Sequence, residues 1–286
     1  DIADVVGQPL AKRALEIAAA GGHNIILIGP PGSGKSMLAK RLATILPPLS
    51  LNEAIETTKI HSVAGRVDVT NGIVAQRPFR SPHHTVSNVA LVGGGSNPKP
   101  GEISLAHNGI LFLDELPEFQ RTVLEVMRQP LEDRVVTISR AQISVDYPAN
   151  FMLVAAMNPS PSGEFYDPTS SNSDSEFAVK RYLNKISGPL LDRIDLHIEV
   201  NPVPYDELSS ARKGETSVEV RERVVQARKN QINRLTEVNG VYTNAQMTPK
   251  QIERYCEIND AGKALMKNAM EKLKLSARSY NRILKV

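Results

Sequence analysis

Ile25-Ile-Leu-Ile-Gly-Pro-Pro-Gly-Ser-Gly-Lys-Ser-Met-Leu-Ala-Lys-Arg-Leu42 runs from four consecutive apolar residues, through a glycine-rich turn, into a segment with helical apolar spacing. The apolar run predicts a short buried strand, and Met37 to Leu46 predicts a helix. Gly29, Pro30, Pro31, Gly32, Ser33, Gly34, Lys35 and Ser36 between them satisfy G-x-x-x-x-G-K-[ST], a pattern whose backbone N–H groups cradle phosphates. The glycines are expected to let the main chain approach an anion that any Cβ would meet, and the helix beginning at the lysine adds its positive end. Lys35 is placed to reach β- and γ-phosphates, and the Ser36 hydroxyl to ligate Mg²⁺. The duller reading is a glycine turn that only joins strand to helix.

A second apolar run, Gly109-Ile-Leu-Phe-Leu-Asp-Glu115, ends in two carboxylates. Such a run is expected of a strand buried on both faces of a parallel sheet, where ligands bind at the carboxyl ends of strands. Asp114 is therefore expected to hold the Mg²⁺ and Glu115 to polarise an attacking water. A third run, Phe151-Met-Leu-Val-Ala-Ala-Met-Asn158, ends in an amide able to orient that water. A solvated turn pair is the plainer account of the two carboxylates.

The 286 residues suffice for one large α/β unit plus a smaller one, and 41% apolar with 23% charged residues is a globular composition. No apolar run approaches the ~20 residues of a membrane span, so no membrane partner and a cytoplasmic location are expected. The single cysteine, Cys256, suits a reducing compartment. A formal charge of +3 leaves a nucleic-acid partner open without announcing one. The start at Asp1 and stop at Val286 suggest a segment of a longer polypeptide.

Residues 1–208 are expected to form an α/β nucleotide-binding core and residues 209–286, where apolar residues recur at helical spacing among many charges, a small helical lid. Within the core, residues 61–108 read as a long irregular insertion and Glu118 to Leu131 as one helix. Leu183 to Leu191 reads as a helix interrupted by Gly188-Pro189, and residues 159–176 as a polar loop. His83 and His84 lack partners at metal-ligand spacing. Val135 to Asp146 alternates with period two and predicts a β-hairpin within residues 134–146, with Arg134 and Arg140 exposed. Contact with a phosphate backbone and protection of a strand edge account equally well for those arginines.

The ordered set of Gly29 to Ser36, Asp114-Glu115, Asn158, Arg193 and Ser276-Ala-Arg278 resembles an AAA+ ATPase: a P-loop parallel sheet flanked by helices, with a C-terminal helical lid. Arg77-Pro-Phe-Arg-Ser-Pro-His-His-Thr85, Gly188-Pro-Leu-Leu-Asp-Arg-Ile-Asp195 and Leu275-Ser-Ala-Arg278 narrow the resemblance to the magnesium-chelatase-type branch, closest to its ComM (YifB-like) group. The resemblance implies ATP and Mg²⁺ as cofactors. It implies Asn158 as a first sensor, Arg193 as an arginine finger offered to a neighbouring subunit's ATP, and Arg278 as a second sensor in the lid. It further implies a hexameric ring acting on DNA in helicase-like branch migration, or a motor driving a magnesium chelatase, with residues 61–108 and the hairpin directed toward the pore. Relatives often carry a cysteine cluster after the Asn-Pro; here the stretch is Ser160-Pro-Ser162, and no zinc is expected. An ion pair of Arg193 with Asp192 or Asp195 is the plain alternative to the finger role.

Overall fold

The three apolar runs form the central strands of a parallel sheet. A computed structural model describes residues 1–286 except 68–71, 96–97, 140–143, 165–173, 210–213 and 237–239. We number the strands used below β1 (Ile25–Ile28), β2 (Phe79–Arg80), β3 (Ile110–Leu113), β4 (Val135–Ser139), β5 (Ser144–Pro148), β6 (Met152–Met157) and β7 (Leu196–Glu199). The five-stranded sheet has the order β2-β3-β6-β1-β7, and every pairing in it is parallel.

Alternation along these strands sends side chains to two cores. Ile25, Leu27, Ile110, Phe112, Val154 and Ala156 pack on one face against α1 (Pro9–Gly21) and α2 (Lys35–Ile45). Ile26, Leu111, Leu113, Leu153, Ala155 and Met157 pack on the other, against Leu91, Ile103, Val123 and Leu190. Burial on both faces explains why these strands read as unbroken apolar runs. Because Ile28 pairs with Met157 and Leu113 with Ala155, the chain leaves β1, β3 and β6 at one edge of the sheet.

Three expectations about these elements are revised. The stretch 61–108 is not irregular throughout: it contributes β2 to the main sheet and buries Leu91, Ile103, Leu105 and Ala106. Glu118 to Leu131 is not one helix but a 3₁₀ turn, Leu116–Glu118, and two short helices, Arg121–Glu125 and Arg128–Asp133. Pro130 has no N–H to donate to the Val126 carbonyl, so the helical ladder cannot run through. Of the segment Leu183 to Leu191, expected as a helix interrupted at Gly188-Pro189, Leu183 instead ends an earlier helix, Glu176–Leu183, capped by Ser175, and Gly188-Pro189 opens a second short one, Gly188–Leu191. Helix α2 begins at Lys35, where the phosphate-loop pattern places its start.

β4 and β5 form the antiparallel hairpin. Arg134, expected to be exposed on it, sits half-buried in the turn before β4, and Arg140 lies outside the described residues. Among the later helices, α3 (Ser217–Leu235) opens with a capping box at Thr216 and Glu219 and buries Val220 and Val224 in the core beside α1 and α2. Arg228 and Gln231 of α3 donate to the carbonyls of Ala19 and Ala20 at the end of α1. Leu235, Met247 and Ile252 then make a small separate cluster. Pro249–Tyr255, Asp260–Leu273 and α4 (Ala277–Lys285) complete the helical region. Among the described residues no helix is long and apolar enough to cross a membrane.

Candidate functional site

The phosphate loop follows β1, Asp114 follows β3 and Asn158 follows β6, so the parallel register brings all three to the carboxyl edge of the sheet. Lys35 Nζ donates to the carbonyls of Gly29 at 2.6 Å and Pro30 at 2.8 Å and to Asn158 Oδ1 at 3.2 Å. Burial holds the Lys35 ammonium below the usual lysine range, and the Asp114 carboxylate partly offsets that. Ser36 Oγ donates to Asp114 Oδ2 at 2.6 Å, and the other Asp114 oxygen accepts from the Glu115 amide at 3.0 Å.

The loop has the features of an anion cradle. The amides of Gly32, Gly34, Lys35 and Ser36 have no protein acceptor among the described residues, and the buried Ser33 hydroxyl has no hydrogen-bond partner. Gly32 and Gly34 adopt φ of +77° and +92°, which L side chains reach only with strain. Gly29 differs from the sequence expectation. A Cβ there would sit 2.1 Å from the Val200 carbonyl, so the packing of the strand end already requires glycine whatever the loop binds. A polyphosphate fits the unpaired amides and the ammonium, and the paired oxygens of Ser36 and Asp114 suit a hard cation such as Mg²⁺.

Glu115 is a non-glycine residue at φ +53°, a conformation costing an L residue ~1–2 kcal/mol. Its carbonyl accepts from Glu118 N, closing the turn that aims the side chain outward. Glu115 Oε2 lies 3.3 Å from His84 Nδ1, and the His84 ring stacks on His83 with centroids 4.0 Å apart. His84 is thus a neighbour of the candidate lytic carboxylate. Its sequence distance from Glu115 carries no sign of the contact. The cavity beside Glu115 is also lined by Lys35, Asp114, Asn158, Phe177 and Tyr182. Burial first, then the charges of Glu118 and Glu115, push the Tyr182 phenol up to about 12, so it stays a neutral hydroxyl.

Arg193 and Arg278 are not at this edge. They line a cleft of about 330 Å³ together with Asn24, Gly109, Met152 and Asp195, residues at or just before the starts of β1, β3, β6 and β7. The cleft therefore lies at the amino ends of the strands. At ~3.3 Å per residue, β6 alone separates the two edges by ~20 Å, beyond the reach of an arginine side chain. Arg193 pairs with Glu132, not with Asp192 or Asp195, and donates to the Pro189 carbonyl. Asn24 holds this segment in place, donating to the Arg193 carbonyl at 2.9 Å and accepting from Leu153 N at 2.8 Å. Arg278 is exposed at the start of α4. Asp195 lies between His23 and Arg282, 3.0 Å from each. That Arg193 sits at the far edge was available from the sequence, because it precedes a parallel strand; the docking of the lid that brings Arg278 beside it was not.

Residues 1–208 match the family described as magnesium chelatase, subunit ChlI, and residues 214–286 match the family of that subunit's C-terminal region. The chain is 52% identical over 288 residues to the competence protein ComM of Haemophilus influenzae. It is 48% identical over 287 residues to the YifB protein of Salmonella typhimurium. Both alignments cover 100% of this chain and 55% of the relative, so the chain spans about half the length of these relatives. The magnesium-chelatase 67 kDa subunit of Chlorobaculum parvum is 28% identical over 212 residues, 70% of this chain and 26% of that protein.

Proposed function

The chain belongs to the magnesium-chelatase family of AAA+ ATPases, and on that premise we propose that it is the ATP-hydrolysing motor module of a ring-forming protein of the ComM and YifB group. One observation carries the proposal. Unpaired loop amides, Lys35, the Ser36–Asp114 pair, Glu115 and Asn158 converge on one edge of the sheet.

In this reading Lys35 and the loop amides bind the β- and γ-phosphates of ATP, and Ser36 and Asp114 hold Mg²⁺. The cation, when bound, neutralises charge developing on the phosphates. Glu115 takes a proton from the attacking water, and Asn158 orients that water and the Lys35 ammonium. Hydrolysis splits the γ-phosphate from ADP. Arg193 and Arg278, ~20 Å from this edge, serve the ATP of a neighbouring copy, an arrangement that makes turnover depend on assembly and is worth ~10³- to 10⁵-fold in rate for an arginine finger. Exchange of Glu132 for a phosphate would accompany that engagement.

The substrate reading favoured by the similarity to ComM is DNA: a hexameric ring acting as a helicase or branch-migration motor, with residues 61–108 and the 134–146 hairpin facing the pore. The second reading, a motor that drives magnesium insertion into a porphyrin through a partner, draws on the chelatase relative of lower identity. ATP turnover by the full-length protein, measured against protein concentration with and without branched DNA, tests both. The proposal expects specific activity to rise with concentration and with DNA. Activity independent of concentration would refute the ring, and stimulation by a chelatase partner with indifference to DNA would favour the second reading.

A further inference from the structure

The cleft at the amino ends of the strands carries more positive than negative side chains, and most of its carboxylates are already engaged. Asp195 is held by Arg282 and His23, Glu53 by Arg77 and Glu132 by Arg193, leaving Asp192 as a lining carboxylate without a cationic partner among the described residues. Arg134 also lines the cleft, half-buried, and its guanidinium makes no hydrogen bond or ion pair among the described residues. Burial lowers its pKa, and no carboxylate among the described residues counters it. A partly desolvated guanidinium without a counter-charge is costly, which is the condition of a site completed by an anion from outside.

The backbone fixes where that charge stands. Arg134 N donates to the Pro130 carbonyl at 3.0 Å and its own carbonyl accepts from Ala149 N at 2.7 Å, holding the residue at φ +57°. Ordinary L residues pay ~1–2 kcal/mol for that conformation. Arg278 on α4 lines the same cleft and also has no partner among the described residues, and Lys285, at the other end of α4, is turned to the Ala245 carbonyl. Of the six arginines that line the cleft, Arg134 before β4 and Arg278 in the lid have no partner among the described residues, while Arg193 before β7 is held by Glu132 and Arg77, Arg228 and Arg282 by other protein groups.

We propose that Arg134 is a further phosphate-contacting residue, whose guanidinium joins Arg193 and Arg278 on the triphosphate of the ATP held by a neighbouring copy of the chain. The proposal rests on the reading that this cleft faces the neighbour's phosphate loop. Since Arg134 immediately precedes β4, the contact would tie the nucleotide of one subunit to the hairpin of the next.

The test uses the full-length protein with Arg134→Asn, because asparagine tolerates positive φ, and with Arg134→Lys, which keeps the charge but not the bidentate fork. Arg134→Asn is expected to lower kcat on the order of 10²-fold with nucleotide affinity unchanged, and Arg134→Lys to fall between it and the wild type. Equal mixtures of Arg134→Asn with Glu115→Gln subunits are expected to turn over ATP faster than either alone, because the second variant still offers its Arg134 to the first. Unchanged kcat in Arg134→Asn overturns the proposal. So does a mixture no faster than the mean of its parents while the parallel mixture of Arg193→Ala with Glu115→Gln recovers. If neither mixture recovers in assembled rings, the reading of the cleft as the neighbour's partner falls with it. Loss of single-stranded DNA binding at unchanged turnover would make the cleft a nucleic-acid surface and also overturn the proposal. Should Arg134→Asn not fold, wild-type turnover by Arg134→Lys overturns it.

Discussion

Two glycines of the phosphate loop have different reasons for being glycine, and alanine substitutions separate them. At Gly29 a Cβ would lie 2.1 Å from the Val200 carbonyl, roughly 0.9 Å inside the 3.0 Å limit that real Cβ contacts keep. Val200 cannot simply retreat, because its N–H donates to the Ile28 carbonyl at 2.7 Å where β7 leaves β1. Relief means moving the end of β1 or breaking that bond, at ~1–3 kcal/mol for the overpacking and ~1 kcal/mol for the bond. Gly32 has nothing within 4 Å of where its Cβ would stand. Gly32→Ala therefore pays mainly for its positive φ, ~1–2 kcal/mol, partly offset by ~0.4–1 kcal/mol from a stiffer unfolded chain. At ~2–4 °C per kcal/mol for a chain of this size, scanning calorimetry should find Gly29→Ala melting on the order of 10 °C below the wild type and Gly32→Ala only ~2 °C below it. Titration with a non-hydrolysable ATP analogue should nevertheless show weakened binding in Gly32→Ala. A Gly29→Ala protein that melts with the wild type, or a Gly32→Ala protein that melts as low as Gly29→Ala, would refute the division.

The Arg77–Glu53 pair ties the start of β3 to the 47–53 segment, with Arg77 also donating to the carbonyls of Pro47, Pro48 and Asn108, so Arg77→Ala should cost ~3 kcal/mol in denaturant unfolding. Burial alone would raise the Glu53 carboxyl, but the hydrogen bonds and charge of Arg77 outweigh it and leave the pKa below the usual range. Its contribution is therefore complete above the unfolded value near ~4.3 and disappears as pH falls through the lower folded value. Glu53→Gln should flatten that acid limb of the stability–pH curve. Glu115→Gln should keep nucleotide affinity and lose ~10²- to 10⁴-fold in turnover, measured under single-turnover conditions.

Much of the fold was legible because buried parallel strands leave a plain signal: Ile25–Ile28, Ile110–Leu113 and Met152–Met157 each read as an unbroken apolar run. Phe79–Arg80 left none, being two residues long between Pro78 and Pro82, and its place at the sheet edge comes from pairing with Ile110 and Leu111. The candidate site was legible at the phosphate loop, Asp114 and Asn158, where local sequence and strand ends coincide. It was not legible at His84, whose contact with Glu115 depends on how the segment after β2 folds back, nor was it legible that Arg278, a site residue by family resemblance, shares a cleft with Arg134. The two line one cleft because α4 lies against the amino ends of the strands, where Arg282 reaches Asp195 and the Ile194 carbonyl. Period and spacing describe single elements; which elements face one another is settled by packing.

Binding of Mg²⁺ with a non-hydrolysable ATP analogue to the wild type, Lys35→Ala and Arg193→Ala, followed by calorimetric titration, tests the central claim most directly. The account predicts that Lys35→Ala loses binding with its melting temperature preserved, while Arg193→Ala binds as the wild type does. Equal affinity in all three, or equal loss in both variants, would contradict it.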